Sequence, residues 1–133
     1  MLVMADEEKI EEVQSTIDDY FSAVRLSRQE ARDSAVSMLQ EAMAYTDDEN
    51  QKEISGDTLE GIVQTALCEA QIESLVIAKG YADCVAYISD EGISVAVATP
   101  EGGMQQEDVA VIADIVISQS DFDIQDIRVV EVQ

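Results

Sequence analysis

The chain has 133 residues, of which 47% are hydrophobic and 5% aromatic, so it can form one modest core built mainly from aliphatic side chains. Twenty-nine acidic residues against seven basic ones give a formal charge of −22. This charge disfavours nucleic acids and anionic membrane surfaces as partners and suits a partner with basic patches. Histidine is absent, which excludes Ser-His and Cys-His nucleophile pairs.

The first part of the chain predicts an arm and a long helix. Residues 1–16 are acidic and weakly patterned, so we expect them to form a flexible arm. Over residues 17–46 apolar positions recur at spacings of four and three, with Arg28 in the one gap. Such a heptad-like seam is typical of a helix that packs along another helix. A polar break, Thr46 to Asn50, ends the pattern.

Residues 57–132 predict a compact unit of helices and strands. An apolar helix ends at a basic residue followed by glycine, and alternating apolar segments on either side of a glycine-containing turn are typical of a β-hairpin. In chain order, the predicted elements are a helix from Asp57 or Thr58 to Ala78 with its stop at Lys79-Gly80, a hairpin with its turn at Ser89 to Gly92, a helix near Gln105 to Ser118 and a strand from Ile127 to Val132.

This order predicts an α+β fold: a long N-terminal helix plus an α-β-β-α-β unit, with the helices packed on one face of a three-stranded sheet. Residues 17–132 would then form a single domain. We expect the edges of the sheet and its uncovered face to be available to a neighbouring molecule.

Three of the seven basic residues lie close together on the first predicted helix. Arg25, Arg28 and Arg32 form one stripe, and none of them has an acidic residue three or four positions away. Each arginine therefore pairs either with a distant carboxylate of the same chain or with another molecule. We hypothesise that the three arginines contribute to partner binding, and intramolecular pairing remains the alternative.

The remaining reactive groups do not form a recognisable site. Cys68 and Cys84 are interpreted as two packed thiols, with one disulfide as the less favoured alternative. The acidic stretches at residues 47–49 and 121–126 are interpreted as solvated loops, and the second lacks the glycine and the terminal glutamate of a calcium-binding loop. No phosphate-binding glycine motif occurs. We expect no cofactor, no metal site and no enzymatic activity.

The distribution of apolar residues also argues against a membrane segment. No uninterrupted apolar run exceeds five residues, whereas a helix needs roughly 18 to span a bilayer. We expect the chain as given to be soluble, with no membrane contact of its own.

Several segments together resemble the stage III sporulation protein AH family. The resemblance covers roughly residues 17 to 132. The first segments are similar to the helix that opens the soluble part of that family, the next ones to its helix end and hairpin, and the last ones to its final helix and strand. The segments are Asp19-Tyr20-Phe21, Arg25-Leu26 with Arg28, Ala31 to Ala35, Leu39-Gln40, Glu73 to Leu75, Ile77 to Asp83, Val109 to Ile117 and Ile127 to Val129.

The resemblance implies an α-β-β-α-β unit similar to the ring-building motif of type III secretion rings. It also implies a non-enzymatic role in endospore formation, in a channel or ring between mother cell and forespore, with a stage II sporulation protein Q-like forespore protein as partner and a ring-type homo-oligomer as a further state. Members of the family carry an N-terminal membrane helix, so we expect this extracytoplasmic segment to be anchored through a helix that the sequence lacks.

Two other functional classes remain open. A generic ring-forming or protein-binding domain of another bacterial envelope or secretion assembly would show the same features. An acid-rich hydrolase or metal-dependent enzyme would need carboxylates that converge in a concave pocket.

Overall fold

The computed structural model describes the backbone of residues 2–133 and the side chains of residues 17–133. The observed elements, in chain order, are α1 (Leu2–Tyr45), α2 (Glu49–Ala78), β1 (Cys84–Ser89), β2 (Gly92–Ala98), α3 (Gln106–Gln119), a 3-10 turn (Ile124–Asp126) and β3 (Ile127–Val132). The predicted α+β class and the order α-α-β-β-α-β are confirmed.

The helix boundaries differ from the prediction. The backbone of α1 already begins at Leu2, not near Ile17, because the acidic N-terminal residues continue the helix. Residues 1–16, which we expected to form a flexible arm, lie outside the part of the chain whose side chains the structure describes. Helix α2 begins at Glu49, about eight residues before the predicted start, because Asp48 provides an N-cap whose carboxylate accepts a hydrogen bond of 2.9 Å from the Asn50 N–H. The two long helices therefore form an antiparallel hairpin with a three-residue link.

The glycine signals near the sheet are confirmed. Lys79 and Gly80 end α2, and the Gly80 N–H donates to the Ile77 carbonyl at 2.9 Å. Gly92, with φ at 135°, completes the turn between β1 and β2. A Cβ at Gly92 would lie 2.3 Å from the carbonyl oxygen of Asp126, so both the backbone angle and the available space require glycine there.

The main core lies between the sheet and two helices. The strand order is β1-β2-β3, with an antiparallel β1–β2 pair and a parallel β2–β3 pair, and α3 is the crossover between the parallel strands. Helices α2 and α3 cover one face of this sheet, as predicted. The buried side chains of this core are Ile72, Val76, Tyr81, Cys84, Ala86, Ile93, Val95, Val97, Ile112, Ile115 and Val116.

The opposite face of the sheet carries a second, smaller core. Phe21 of α1 is fully buried there against Val85, Ala96, Ala98 and Val132. Part of the face that we expected to be uncovered is therefore closed by α1. This helix passes from the side of α2, around β1, onto the other face of the sheet.

The seam of α1 is rotated from the predicted one in its second half. Arg32, Leu39 and Met43 are half-buried on the side of α2, whereas Met38 and Tyr45, which we placed on the seam, are exposed. Both faces carry apolar residues at similar spacing, so periodicity alone did not distinguish them. The consequence is an apolar stripe on α1 that α2 leaves uncovered.

The arginine cluster and candidate interaction surfaces

The arginine cluster, which we define as Arg25, Arg28 and Arg32, lies where α1 passes α2 and β1. Arg25 forms an ion pair with Asp83, and its second nitrogen lies 3.3 Å from the other Asp83 oxygen. The Arg25 guanidinium also lies over the Phe21 ring, 5.7 Å from its centroid. The side-chain hydrogen bond to Asp83 raises the pKa of Arg25, so the guanidinium stays charged throughout the ordinary pH range.

The other two arginines converge on two carboxylates of α2. Arg28 donates to Glu73 at 2.6 Å and lies 3.8 Å from Glu69, while Arg32 donates to the same Glu69 oxygen. Glu69 is only 2% exposed. Burying a charge of this kind is costly unless it is paired and hydrogen-bonded, and these arginines meet that requirement.

The same side chains close the free edge of β1. The Ala86 N–H donates to Glu73 at 2.9 Å and the Ile88 N–H donates to Glu69 at 2.8 Å. The carbonyl of Ala86 accepts from Arg28 at 2.5 Å, and the carbonyl of Cys84 accepts from Arg25 at 3.1 Å.

Helix side chains therefore occupy the backbone groups that an edge strand ordinarily leaves open to another strand. Among the described side chains, no buried polar atom lacks a hydrogen-bond partner. This corrects our expectation that both edges of the sheet are available, because the β1 edge is occupied.

The structure thus brings the three predicted arginines together and pairs each with a carboxylate of the same chain. The intramolecular alternative is observed, and a direct contact of these arginines with a partner stays a prediction. Sequence reasoning did not single out Asp83, Glu69 or Glu73. The sequence did contain a signal for the two glutamates. Together with Ile62, Ala66 and Val76 they follow a spacing of four and three residues, which places all five on the inner face of α2.

Neither cysteine forms a disulfide. Cys84 is buried in the main core, and burial together with the nearby Glu73 and Asp83 carboxylates raises the pKa of its thiol to about 12. Cys68 is half-buried on α2, and burial followed by the nearby Glu69 charge raises its pKa as well. Both groups are therefore neutral thiols near pH 7, in agreement with packed residues.

A hydrogen-bonded pair joins the end of the α2 loop to the start of α3. The Tyr81 hydroxyl donates to Asp108 at 2.6 Å, and the second Asp108 oxygen accepts from the Gln105 N–H at 2.8 Å. These two bonds lower the pKa of Asp108. Burial, assisted by the Asp108 carboxylate, raises the pKa of Tyr81 to about 12.

Two shallow cavities adjoin each other along the helical hairpin. The first, of about 460 Å³, lies between α1 and α2 and includes Ala31, Thr58, Gly61 and Tyr87 in its lining. The second, of about 440 Å³, lies farther along α1 and shares Ala31 and Tyr87 with the first. The only carboxylate in the first lining is Glu69, which is already paired, and the second lining has none. These cavities offer apolar and hydroxyl contacts and lack the converging carboxylates of a hydrolytic site.

Across residues 17–133, no group of three or more Cys, Asp or Glu side chains is arranged to hold a metal ion. In the part of the chain that the structure describes, no helix combines the length and the apolar character needed to cross a membrane.

Comparisons with known proteins agree with the sequence resemblance. A family model described as SpoIIIAH-like protein matches residues 3–129. A chain of the solved structure described as the SpoIIQ-SpoIIIAH pore forming complex has the same fold, with a TM-score of 0.70 at 20% identity over 84% of this chain and 96% of that chain.

A weaker match is the type III secretion system protein EscJ of enteropathogenic E. coli, with a TM-score of 0.48 at 25% identity over 56% of this chain and 49% of that chain. No curated protein matches the chain.

Proposed function

The chain belongs to the SpoIIIAH-like family, which confirms the resemblance found in its sequence, and from this membership we propose that it is a non-enzymatic assembly module of endospore formation. In this role it binds a SpoIIQ-like protein of the forespore, within a channel or ring complex that links mother cell and forespore. The observation that carries the proposal is the family match over residues 3–129, nearly the whole chain.

Two properties of the molecule support an assembly role. Its fold is that of a chain from a complex described as pore forming, and the match covers 96% of that chain. Its surface is strongly acidic, with a formal charge of −22, which steers it towards a basic protein surface and away from anionic lipids.

The chemistry of the described side chains favours binding over catalysis. The most buried nucleophile, Cys84, is a neutral thiol at pH 7 because its pKa is raised to about 12. The buried Glu69 carboxylate is engaged by Arg32 and by the Ile88 N–H. Neither group is free to act on a substrate.

The location follows from the same proposal. The domain works outside the cytoplasm, in the space between the mother-cell and forespore membranes, where it meets its partner. The folded domain contacts this partner and makes no membrane contact of its own, since its acidic surface is repelled by anionic lipid headgroups.

The test is size-exclusion chromatography with light scattering, on the domain alone and mixed with the soluble domain of a SpoIIQ-type protein from the same genome. We expect an equimolar or larger complex in the mixture. Separate elution of the two proteins at tens of micromolar, in both low and moderate salt, would contradict the proposal. The run on the domain alone reports whether a ring-type homo-oligomer forms without the partner.

A further inference from the structure

The part of the helical hairpin that lies away from the sheet presents an apolar surface that the chain itself does not cover. On α1, Ala31, Met38 and Tyr45 are spaced seven residues apart and therefore share one side of the helix. Met38 is 70% exposed and Tyr45 is 84% exposed. Single exposed apolar residues are common on proteins, but an aligned stripe ending in a Tyr is typical of an interaction site.

Helix α2 extends this surface. Ile54, Thr58 and Gly61 follow one another at spacings of four and three, and so they also share one side of their helix. Thr58 and Gly61 line the 460 Å³ cavity together with Ala31, which places the two stripes side by side. We call the surface formed by Ala31, Met38, Tyr45, Ile54, Thr58 and Gly61 the hairpin groove.

The shape of the hairpin groove leaves room for side chains of another molecule. Its floor is made of small residues, and a Cβ built at Gly61 would meet no atom within 4 Å, so the space above it is open. Farther along the two helices the surface continues with the larger Met38, Tyr45 and Ile54, of which Ile54 is 63% exposed. Open space over small residues, followed along the hairpin by larger apolar side chains, fits an amphipathic segment of a partner that lies along the two helices.

The charges around the groove decide what the occupant is. Positions flanking the two stripes carry the exposed carboxylates of Glu30, Glu41 and Asp57. Two arginines of the cavity lining, Arg28 and Arg32, are already paired with Glu73 and Glu69, so they do not offset this charge. A second copy of this chain would bring another acidic rim and a further −22 charge, which disfavours self-association through this surface.

We propose that the hairpin groove is the docking site for an apolar segment flanked by Lys or Arg residues on the partner protein. The apolar residues of that segment fill the space over Ala31 and Gly61, and its basic residues meet the rim carboxylates. The inference rests on the proposed function, because the partner is the SpoIIQ-like protein proposed there.

The experiment measures binding of the soluble domain of a SpoIIQ-type protein from the same genome, by titration calorimetry. The test variant is the triple substitution Met38→Ser, Tyr45→Ser and Ile54→Ser, which changes exposed side chains only. We expect the affinity to fall by about tenfold or more, the usual effect of truncating central interface residues. A thermal melt confirms that the variant remains folded.

A matched control changes exposed apolar residues elsewhere. Leu26 is 57% exposed on the other side of α1, and Ile124 is 71% exposed beside β3. The double variant Leu26→Ser and Ile124→Ser should bind within about twofold of the wild type, as expected for residues outside the energetic centre of an interface.

The charge part of the proposal has its own test. The variant Glu41→Lys with Asp57→Lys should weaken binding, and the affinity of the wild type should fall as salt is raised, because a basic partner is screened from the rim. An affinity that changes neither in the double Lys variant nor with salt would overturn the choice of a basic occupant.

The outcomes separate the two levels of the account. If the wild type binds and the triple Ser variant binds equally well, the groove proposal is wrong and the proposed function stands. If the wild type does not bind at all, the proposed function fails and the groove proposal falls with it. If the wild type alone is a dimer that the triple variant abolishes, the occupant is a second copy, which also overturns the proposal.

Discussion

The two ends of the helical hairpin are built on different principles. Near the sheet, α1 and α2 are fixed by complete burial of Phe21, Ile72 and Val76 and by the arginine cluster. Away from the sheet, the same helices leave Met38, Tyr45 and Ile54 largely exposed. The sheet-proximal half therefore carries the stability of the fold, and the distal half has apolar surface left over for binding.

The largest expected effect is on stability and follows from removing the Glu69 carboxylate. Glu69→Ala leaves Arg32 and the Ile88 N–H without their acceptor in a buried site. Breaking a buried ion pair from one side costs about 3–5 kcal/mol of unfolding free energy. Urea unfolding checks this, with Glu60→Ala on the exposed side of α2 as the control; a loss similar to that of the control would contradict the structural role of the cluster.

The comparison is sharpened by two aromatic residues of α1, Phe21 where the helix packs on the sheet and Tyr45 in the distal half. Phe21→Ala opens the small core on the second face of the sheet and should cost about 3 kcal/mol of unfolding free energy. Tyr45→Ala changes a side chain that is 84% exposed and should stay within about 0.5 kcal/mol. Equal losses for the two variants would mean that the distal half also contributes packing energy.

Arg28→Ala separates a structural arginine from a partner-binding one. The side chain is 15% exposed and joins Glu73 to the β1 carbonyl of Ala86, so its removal should cost about 2–3 kcal/mol. If Arg28 acts only within the chain, the affinity of the folded variant for the SpoIIQ-type domain is unchanged. Arg128→Ala, on the exposed side of β3, is the control. A folded Arg28 variant with weakened binding would support the prediction that the arginines contact the partner.

The last expected effect is a loss of stability at alkaline pH. Burial raises the pKa of Cys84 to about 12 from an ordinary 9.0, and it raises the pKa of Tyr81 to about 12 from 10.0. Above pH 9 the unfolded chain loses these protons before the folded one, so the unfolding free energy should fall between about pH 9 and 12.

The measurement for this prediction is urea unfolding at a series of pH values. The variant Cys84→Ala should show a shallower fall between about pH 9 and 10, where the Tyr81 contribution has barely begun. The slope is the readout, so a uniform offset from the lost sulfur does not affect it. A wild-type unfolding free energy that stays constant from pH 9 to 11 would show that Cys84 and Tyr81 ionise as freely in the folded chain as in the unfolded one.

The order of the elements was predictable because local residues encode it. The Lys79-Gly80 stop and the Gly92 turn require backbone conformations that glycine supplies, and the sequence places them correctly. The start of α2 was not predicted, since Gly56 and the polar residues before it weaken the local helix signal. Packing of the buried Ser55 side chain and the Asp48 cap override that weakness.

The arginine cluster shows what periodicity cannot supply. The stripe of Arg25, Arg28 and Arg32 was evident, but their carboxylate partners lie 37 to 58 positions away in the sequence. Which face of α1 meets α2 depends on a rotation of one residue between two apolar stripes. The observed face brings the arginines to Glu69 and Glu73, and these ion pairs exist only once the two helices are side by side.

The most direct test of the division between the two halves is amide hydrogen exchange with and without the SpoIIQ-type domain. Our account predicts that exchange slows in the distal half of the hairpin, residues 33–61, while the amides of Ala86 and Ile88 at the β1 edge are unchanged. Slowed exchange confined to the sheet, with the distal half unaffected, would contradict it.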